Sequence, residues 1–130
     1  MGPTATGRVG DVTGRRGLPL VAVGGAAGAV ARWALLAAAT PTQFPWPTLL
    51  VNLVGCGLLG ILMGRRTRPS TLLLVGTGLC GGLTTFSTFA VEVADLVRHD
   101  DGALGLAYLV ASVVGGLAAF RGGRSAGMIR

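Results

Sequence analysis

Apolar residues fall in four continuous runs, and the segments between them hold most of the Arg, Pro and acidic residues. The runs cover about 18–39, 48–64, 71–97 and 103–120. None alternates with the two-residue period of a half-buried strand. A helix crossing the hydrocarbon core needs ~20 residues, and the runs fit that need with little to spare. Lipid offers the backbone no hydrogen bonds, so the pattern predicts an all-α membrane protein with four transmembrane helices. Pro41, Pro45 and Pro47 separate the first two runs. Arg65, Arg66, Arg68 and Pro69 separate the next two, and residues 98–102 turn the chain into the fourth. Residues 1–17, polar and rich in Gly, Thr and Arg, read as a disordered tail, and 121–130 as a basic C-terminal tail. Arg15-Arg16 before the first run resembles an export signal, but Arg32 sits deep inside that run, so the segment is kept as a span.

Composition strengthens this reading. The chain has 130 residues, enough for one domain, and only 12% are charged, against ~25% in a soluble domain. So little charge cannot cover a watery surface, and much of the outside must face lipid. The net charge is +6, and every basic residue is Arg. These residues lie between apolar runs instead of clustering on one polar surface, which points away from nucleic acid and toward membrane loops. Cys56 and Cys80 lie inside apolar runs and His99 stands alone, so no metal site built on side chains is expected.

The polar residues inside the spans carry the functional signal, because each is costly in hydrocarbon unless it faces protein or water. Span one holds Arg32, span two Asn52, and span four Tyr108 and Ser112. In span three, Thr85, Thr88 and Glu92 are spaced three and four apart and share one helical face. Tyr108 and Ser112, four apart, share another. Two such stripes suit a path through the membrane. The bland alternatives are hydroxyls bonded back to their own helix, Asn52 as interhelical glue and Arg32 snorkelling to the interface. Gly24 with Gly28 and Gly60 with Gly64 form small-residue stripes at four-residue spacing; plain helix packing is the better reading for most of these glycines, while so much close packing implies a tight bundle with another subunit.

The segment Gly81-Gly82-Leu83-Thr84-Thr85-Phe86-Ser87-Thr88-Phe89 is the most specific feature. Two Gly followed by two Thr make a poor helix interior, so the third helix is expected to break near its middle. A broken helix at membrane depth bares carbonyl oxygens that can hold a cation. Phe86 and Phe89 share a face, and the positive edges of their rings suit an anion, although two Phe packed in a helix interface would look the same. Phe86, Phe89 and Asn52 are expected to matter to conduction more than to folding. No nucleophile–base pair suggests an enzyme.

With these residues in hand, the chain resembles the small fluoride channels also described as camphor-resistance proteins. The resemblance covers about residues 23–120. It rests on Gly24-Gly25-Ala26-Ala27-Gly28-Ala29 with Arg32, Thr48-Leu49-Leu50-Val51-Asn52 with Gly55, the stretch from Gly78 to Phe89 followed by Glu92, and Tyr108 with Ser112. It implies a passive fluoride exporter of the bacterial inner membrane, working as an antiparallel, dual-topology-type dimer with two pores. It implies a structural, untransported Na+ at the dimer centre, held by the backbone carbonyls of Gly81 and Thr84. It places Phe86, Phe89 and Asn52 in the pore, and Thr88, Glu92, Tyr108 and Ser112 on a polar track. One turn further along that track this chain has Gly116. Arg32 adds positive potential that would draw anions inward.

Two rivals are weighed against this. A small multidrug-type exporter would need a carboxylate in span one, where this chain has only Arg32. A non-transporting assembly subunit would need no polar stripe. Nine of the Arg residues fall on the side of both termini, and Arg98 alone on the other. The positive side of a membrane protein is cytoplasmic, so both termini are expected inside. A chain inserting both ways should have balanced loops. The bias therefore predicts pairing with an oppositely oriented homologue, with a homodimer as the alternative.

Overall fold

The computed structural model describes residues 17–129, so Arg8, Arg15, Arg16, Arg130 and all but the last residue of the expected N-terminal tail lie outside the described residues. α1 spans Gly17–Ala37 and α2 spans Trp46–Gly64. The third crossing, Pro69–Arg98, is in two parts: α3 over residues 69–83 and α4 over Phe86–Arg98. α5 spans Gly102–Met128. All four crossings are long and apolar enough to span a membrane, as the four runs predict. The expected break is present. Thr84 (ψ 155°) and Thr85 (φ −145°, ψ 117°) are extended and interrupt the helix for two residues. α3 itself is irregular. It begins with a helical turn at Pro69–Thr71, widens to a π-helix over Leu72–Cys80 and ends in one more turn at Gly81–Leu83. A π-helix this long is unusual, since most are single-turn bulges, often at functional sites.

The helices associate as two close pairs, α1 on α3 and α2 on α5, with α4 also lying on α5. Glycine makes both pairs possible. A methyl group on Gly24 or Gly28 would run into the Leu74 or Leu79 carbonyl oxygen, and one on Gly82 into that of Gly25. In the other pair, a methyl on Gly60 would strike the Phe120 carbonyl and one on Gly64 that of Arg124. Bare backbones thus touch along both seams. In lipid this matters because apolar side chains gain nothing by leaving hydrocarbon for protein, and association depends on close van der Waals contact. The expected stripes Gly24/Gly28 and Gly60/Gly64 therefore find partners inside the chain, beside Gly78/Gly82 and Gly123/Gly127, as plain helix packing expects.

The same contacts explain why α5 passes its expected end at residue 120. A methyl on Gly123 would meet the Gly57 carbonyl, and one on Gly127 the Ile61 carbonyl, so residues that read as a basic tail are a helical continuation packed on α2. The turns are closed by local hydrogen bonds. Thr67 Oγ1 donates to the Leu62 carbonyl at 2.7 Å and caps the end of α2. At the end of α4 the Asp101 N–H donates to the Leu96 carbonyl at 2.9 Å, with Asp100 in the left-handed region at φ 61°. On that side of the molecule Gln43 donates to Asp101 at 3.3 Å and ties the α1–α2 turn to the α4–α5 turn.

Burial is inverted relative to a water-soluble bundle. The largest fully buried side chains are Tyr108 and Thr48, while Trp33, Val30, Leu106 and Val114 are exposed. An apolar shell encloses a polar centre.

The seams generate a sharp contrast. Gly60→Ala should destabilise the fold by about 1–3 kcal/mol, because a backbone carbonyl cannot step aside for the new methyl. Gly122→Ala, whose methyl would meet none of the described residues within 4 Å, should be close to neutral. Thermal unfolding in detergent, followed by size exclusion, checks this. Equal melting temperatures for the two variants would contradict the seam.

Candidate functional site

The site is built around the break. Once Thr84 and Thr85 turn extended, the helical ladder loses its partners, and side chains from other spans replace them. Thr85 N–H donates to Asn52 Oδ1 at 2.8 Å, and Asn52 Nδ2 donates back to the Thr85 carbonyl at 3.2 Å. The amide of Asn52 thereby pairs with one residue of backbone as a neighbouring strand would. Thr85 then starts α4. Its Oγ1 accepts from the Thr88 N–H at 3.2 Å, the N-cap arrangement, and donates to Thr88 Oγ1 at 2.9 Å. Thr84 behaves differently: its hydroxyl bonds back to the Cys80 carbonyl at 3.0 Å, the local pattern expected of helix-bound Thr.

These diversions free two carbonyls. In an unbroken helix, Thr85 N–H would serve Gly81 and Thr88 N–H would serve Thr84. Both donors go instead to side chains. The Thr84 oxygen takes Arg32 Nη1 at 3.3 Å, and Gly81 is exposed. Arg32 thus meets the break directly. Its guanidinium caps the broken helix from α1.

Beyond the break, α4 directs Glu92 toward α2 and α5. Thr48 Oγ1 donates to Glu92 Oε1 at 2.7 Å, and Tyr108 OH donates to Oε2 at 2.7 Å. The Glu92 carboxyl group thus joins three helices through two short hydrogen bonds. Rings enclose this centre. Phe89 lies 5.2 Å from Tyr108 and Phe44 5.4 Å from it, centroid to centroid, while Phe86 lies 5.9 Å from Phe89 and is itself 80% exposed. A cavity of about 620 Å³ reaches the centre from the end where α1 meets α2 and α4 meets α5. Thr48, Thr88 and Glu92 lie in its wall together with Asp95, His99 and Asp101.

The structure therefore gathers Glu92 with Tyr108, Thr88 with Thr85, Asn52 with the break, and Phe86 with Phe89. Ser112 stands apart, its Oγ buried and without a hydrogen-bond partner among the described residues. Asn52 is assigned more than the sequence expects, since it holds the break together. Phe44 has no part in the sequence reading, and Thr48 enters it only as the first residue of the Thr48–Asn52 string. Thr48 lies four residues before Asn52 and shares its face, which is the signal that marks it.

Comparison with known proteins places the chain. The family described as CrcB-like protein, Camphor Resistance (CrcB), matches residues 19–124. The fluoride-specific ion channel FluC 2 of Rhodococcus jostii (strain RHA1) is 48% identical over 101 residues, 77% of this chain and 89% of that protein. The fluoride-specific ion channel FluC 1 of Mycobacterium bovis (strain ATCC BAA-935 / AF2122/97) is 47% identical over 80% of this chain and 84% of its own length. The fluoride-specific ion channel FluC of Methanopyrus kandleri is 44% identical over 120 residues, 87% of this chain and 90% of that protein.

The clamp at Thr85 yields a stability prediction. Asn52→Leu leaves a backbone N–H and a carbonyl without partners and should cost about 1–3 kcal/mol for each group that water cannot reach. Asn52→Asp keeps the acceptor for Thr85 N–H and should cost less. Melting of the two purified variants ranks them, and a Leu variant as stable as the parent would remove the clamp from the account.

Proposed function

The chain belongs to the CrcB/FluC fluoride channel family, and from that membership we propose that it conducts fluoride passively and electrogenically out of the cytoplasm. The observation that carries the reading is the hydroxyl-rich centre inside an apolar shell, where Thr48 and Tyr108 meet on Glu92. Fluoride is small and tightly hydrated, so a pore must replace lost water with hydrogen-bond donors. Ser, Thr and Tyr hydroxyls and the Asn amide are such donors. Thr88, Tyr108, Ser112 and Asn52 supply them along the proposed track, and the positive edges of Phe86 and Phe89 provide weak, non-binding contacts beside it. The Glu92 carboxylate competes with a passing anion for the same hydroxyl protons. That competition keeps the anion from being held too tightly to leave.

Na+ is proposed as a structural ion that is not transported. Gly81 and Thr84 would supply backbone oxygens, which suit a hard cation, and both have lost their helical donors. The Thr84 oxygen bonds to Arg32 and keeps a second lone pair. Two oxygens are too few for a cation, so the site is complete only with the same pair from a second chain. The ion would supply fixed positive charge at the junction.

The proposed assembly is an antiparallel dimer in the cell membrane, with both termini of this chain cytoplasmic. Arg65, Arg66, Arg68, Arg121 and Arg124 stand at the end proposed as cytoplasmic, and Arg98 at the other. That imbalance favours a single orientation and an oppositely oriented homologue as the partner, with a homodimer as the alternative.

One assay tests conduction. Liposomes holding the purified assembly should release fluoride without an energy source and hold back chloride. Phe86→Ile and Phe89→Ile should assemble yet conduct poorly, and sodium-free buffer should slow flux. Chloride passing as readily as fluoride would sink the proposal. Orientation is tested separately by expressing the chain alone with a compartment-specific reporter at either terminus. One orientation and weak flux are expected, and an even split with full flux would leave the homodimer.

A further inference from the structure

We propose that the Arg32 guanidinium is a built-in counterweight to the cation at the break: it holds the Thr84 oxygen in the unpaired chain, and it lowers the affinity of the completed site for Na+. The inference deepens the proposed sodium site and rests on it. The α1–α3 seam puts Arg32 where it can do this. Gly28 lies against Leu79 and Leu83 at backbone contact. Arg32 follows Gly28 by four residues on the same face of α1, and Thr84 follows Leu83 where α3 ends. The guanidinium therefore arrives at the bared end of α3, and its Nη1 donates to the Thr84 oxygen at 3.3 Å.

The charge it brings is uncompensated. Among the described residues, Glu92 is engaged with Thr48 and Tyr108, Asp95 with Arg98, and Asp101 with Gln43. Asp100 lies in the turn after α4, the length of that helix away from the break. Arg32 is half-buried, and partly buried charges are screened much less than exposed ones.

A carbonyl oxygen has two lone pairs. On Thr84 one serves Arg32 and the other is left for a cation, so two positive charges would meet on one atom. Like charges this close repel strongly where water is scarce. Both roles follow from the one contact. In the unpaired chain, Arg32 is the donor that replaces the Thr88 N–H lost to Thr85 Oγ1. In the pair, its charge opposes the ion. The contact thus keeps a single chain from holding the cation by itself and makes pairing the condition for binding.

The test reads sodium binding and stability, not conduction. The assembly, this chain with itself or with a homologue, is purified in sodium-free detergent buffer. Equilibrium dialysis against radiolabelled sodium gives the half-saturation point, and thermal unfolding without sodium gives the melting temperature. Arg32→Met keeps the length of the stem and removes the charge and the donors. It should half-saturate at about a tenth of the sodium that the parent needs. It should also melt lower than the parent without sodium, because the Thr84 oxygen has lost its donor. Arg32→Lys keeps a charge and a donor and should follow the parent in both. Lost packing would lower the melting temperature too, but it would not tighten sodium binding. A half-saturation point for Arg32→Met equal to or above that of the parent would overturn the inference, as would Arg32→Lys shifting like Arg32→Met. A parent assembly that takes up no sodium would instead overturn the proposed sodium site, and this inference with it.

Discussion

Two hydrogen bonds between the Asn52 side chain and the Thr85 main chain hold the geometry on which the rest of the molecule depends. A helix that breaks within a bilayer leaves backbone groups that lipid cannot satisfy. Such a break persists only where protein supplies substitutes. Asn52 supplies one donor and one acceptor from α2, Arg32 supplies a donor from α1, and the Thr85 hydroxyl caps α4 from within the break. With the break fixed, the chain re-enters α4 in a set direction. Phe86, Phe89, Thr88 and Glu92 follow from that direction, as does the meeting of Glu92 with Thr48 and Tyr108.

The two glycine seams answer a different need. The pairs α1–α3 and α2–α5 are held at backbone contact, close enough that few side chains lie between them. The large apolar residues are displaced outward to lipid, and the space at the centre falls to hydroxyls, one amide and one carboxylate. In water such an arrangement would forfeit the hydrophobic effect. In a bilayer the effect offers little between helices, so close contact and polar pairing decide the fold.

Much of this was legible in the sequence. Continuous apolar runs gave four crossings because lipid admits few alternatives, and the Gly81–Thr85 string marked the break because its propensities oppose a helix. The stripes Thr85–Thr88–Glu92 and Tyr108–Ser112 were readable from spacing alone. What could not be read were relations between spans. Nothing local to Arg32 says that its partner is the Thr84 carbonyl, and nothing local to Thr48 says that it shares a carboxylate with Tyr108. The continuation of α5 past residue 120 was hidden for the same reason. Gly122, Gly123 and Arg124 look like a tail until Gly57 and Ile61 are seen beneath them. The π-helix of Leu72–Cys80 left no mark in composition, since its residues would suit an α-helix equally well.

The cavity that descends to Thr48 and Glu92 changes how the membrane voltage acts on this protein. Across intact hydrocarbon the potential falls over ~30 Å. Water in a cavity of about 620 Å³ carries the potential of the side on which it opens inward almost undiminished. The remaining drop is concentrated over the few turns between the Glu92 level and the Arg-rich end. A monovalent ion feels about 2.3 kcal/mol per 100 mV in total, and here nearly all of it acts within that short dry interval. Voltage therefore presses hardest on the interval between Glu92 and the Arg-rich end, and a charge at the Glu92 carboxyl group is in electrical terms level with the water that fills the cavity.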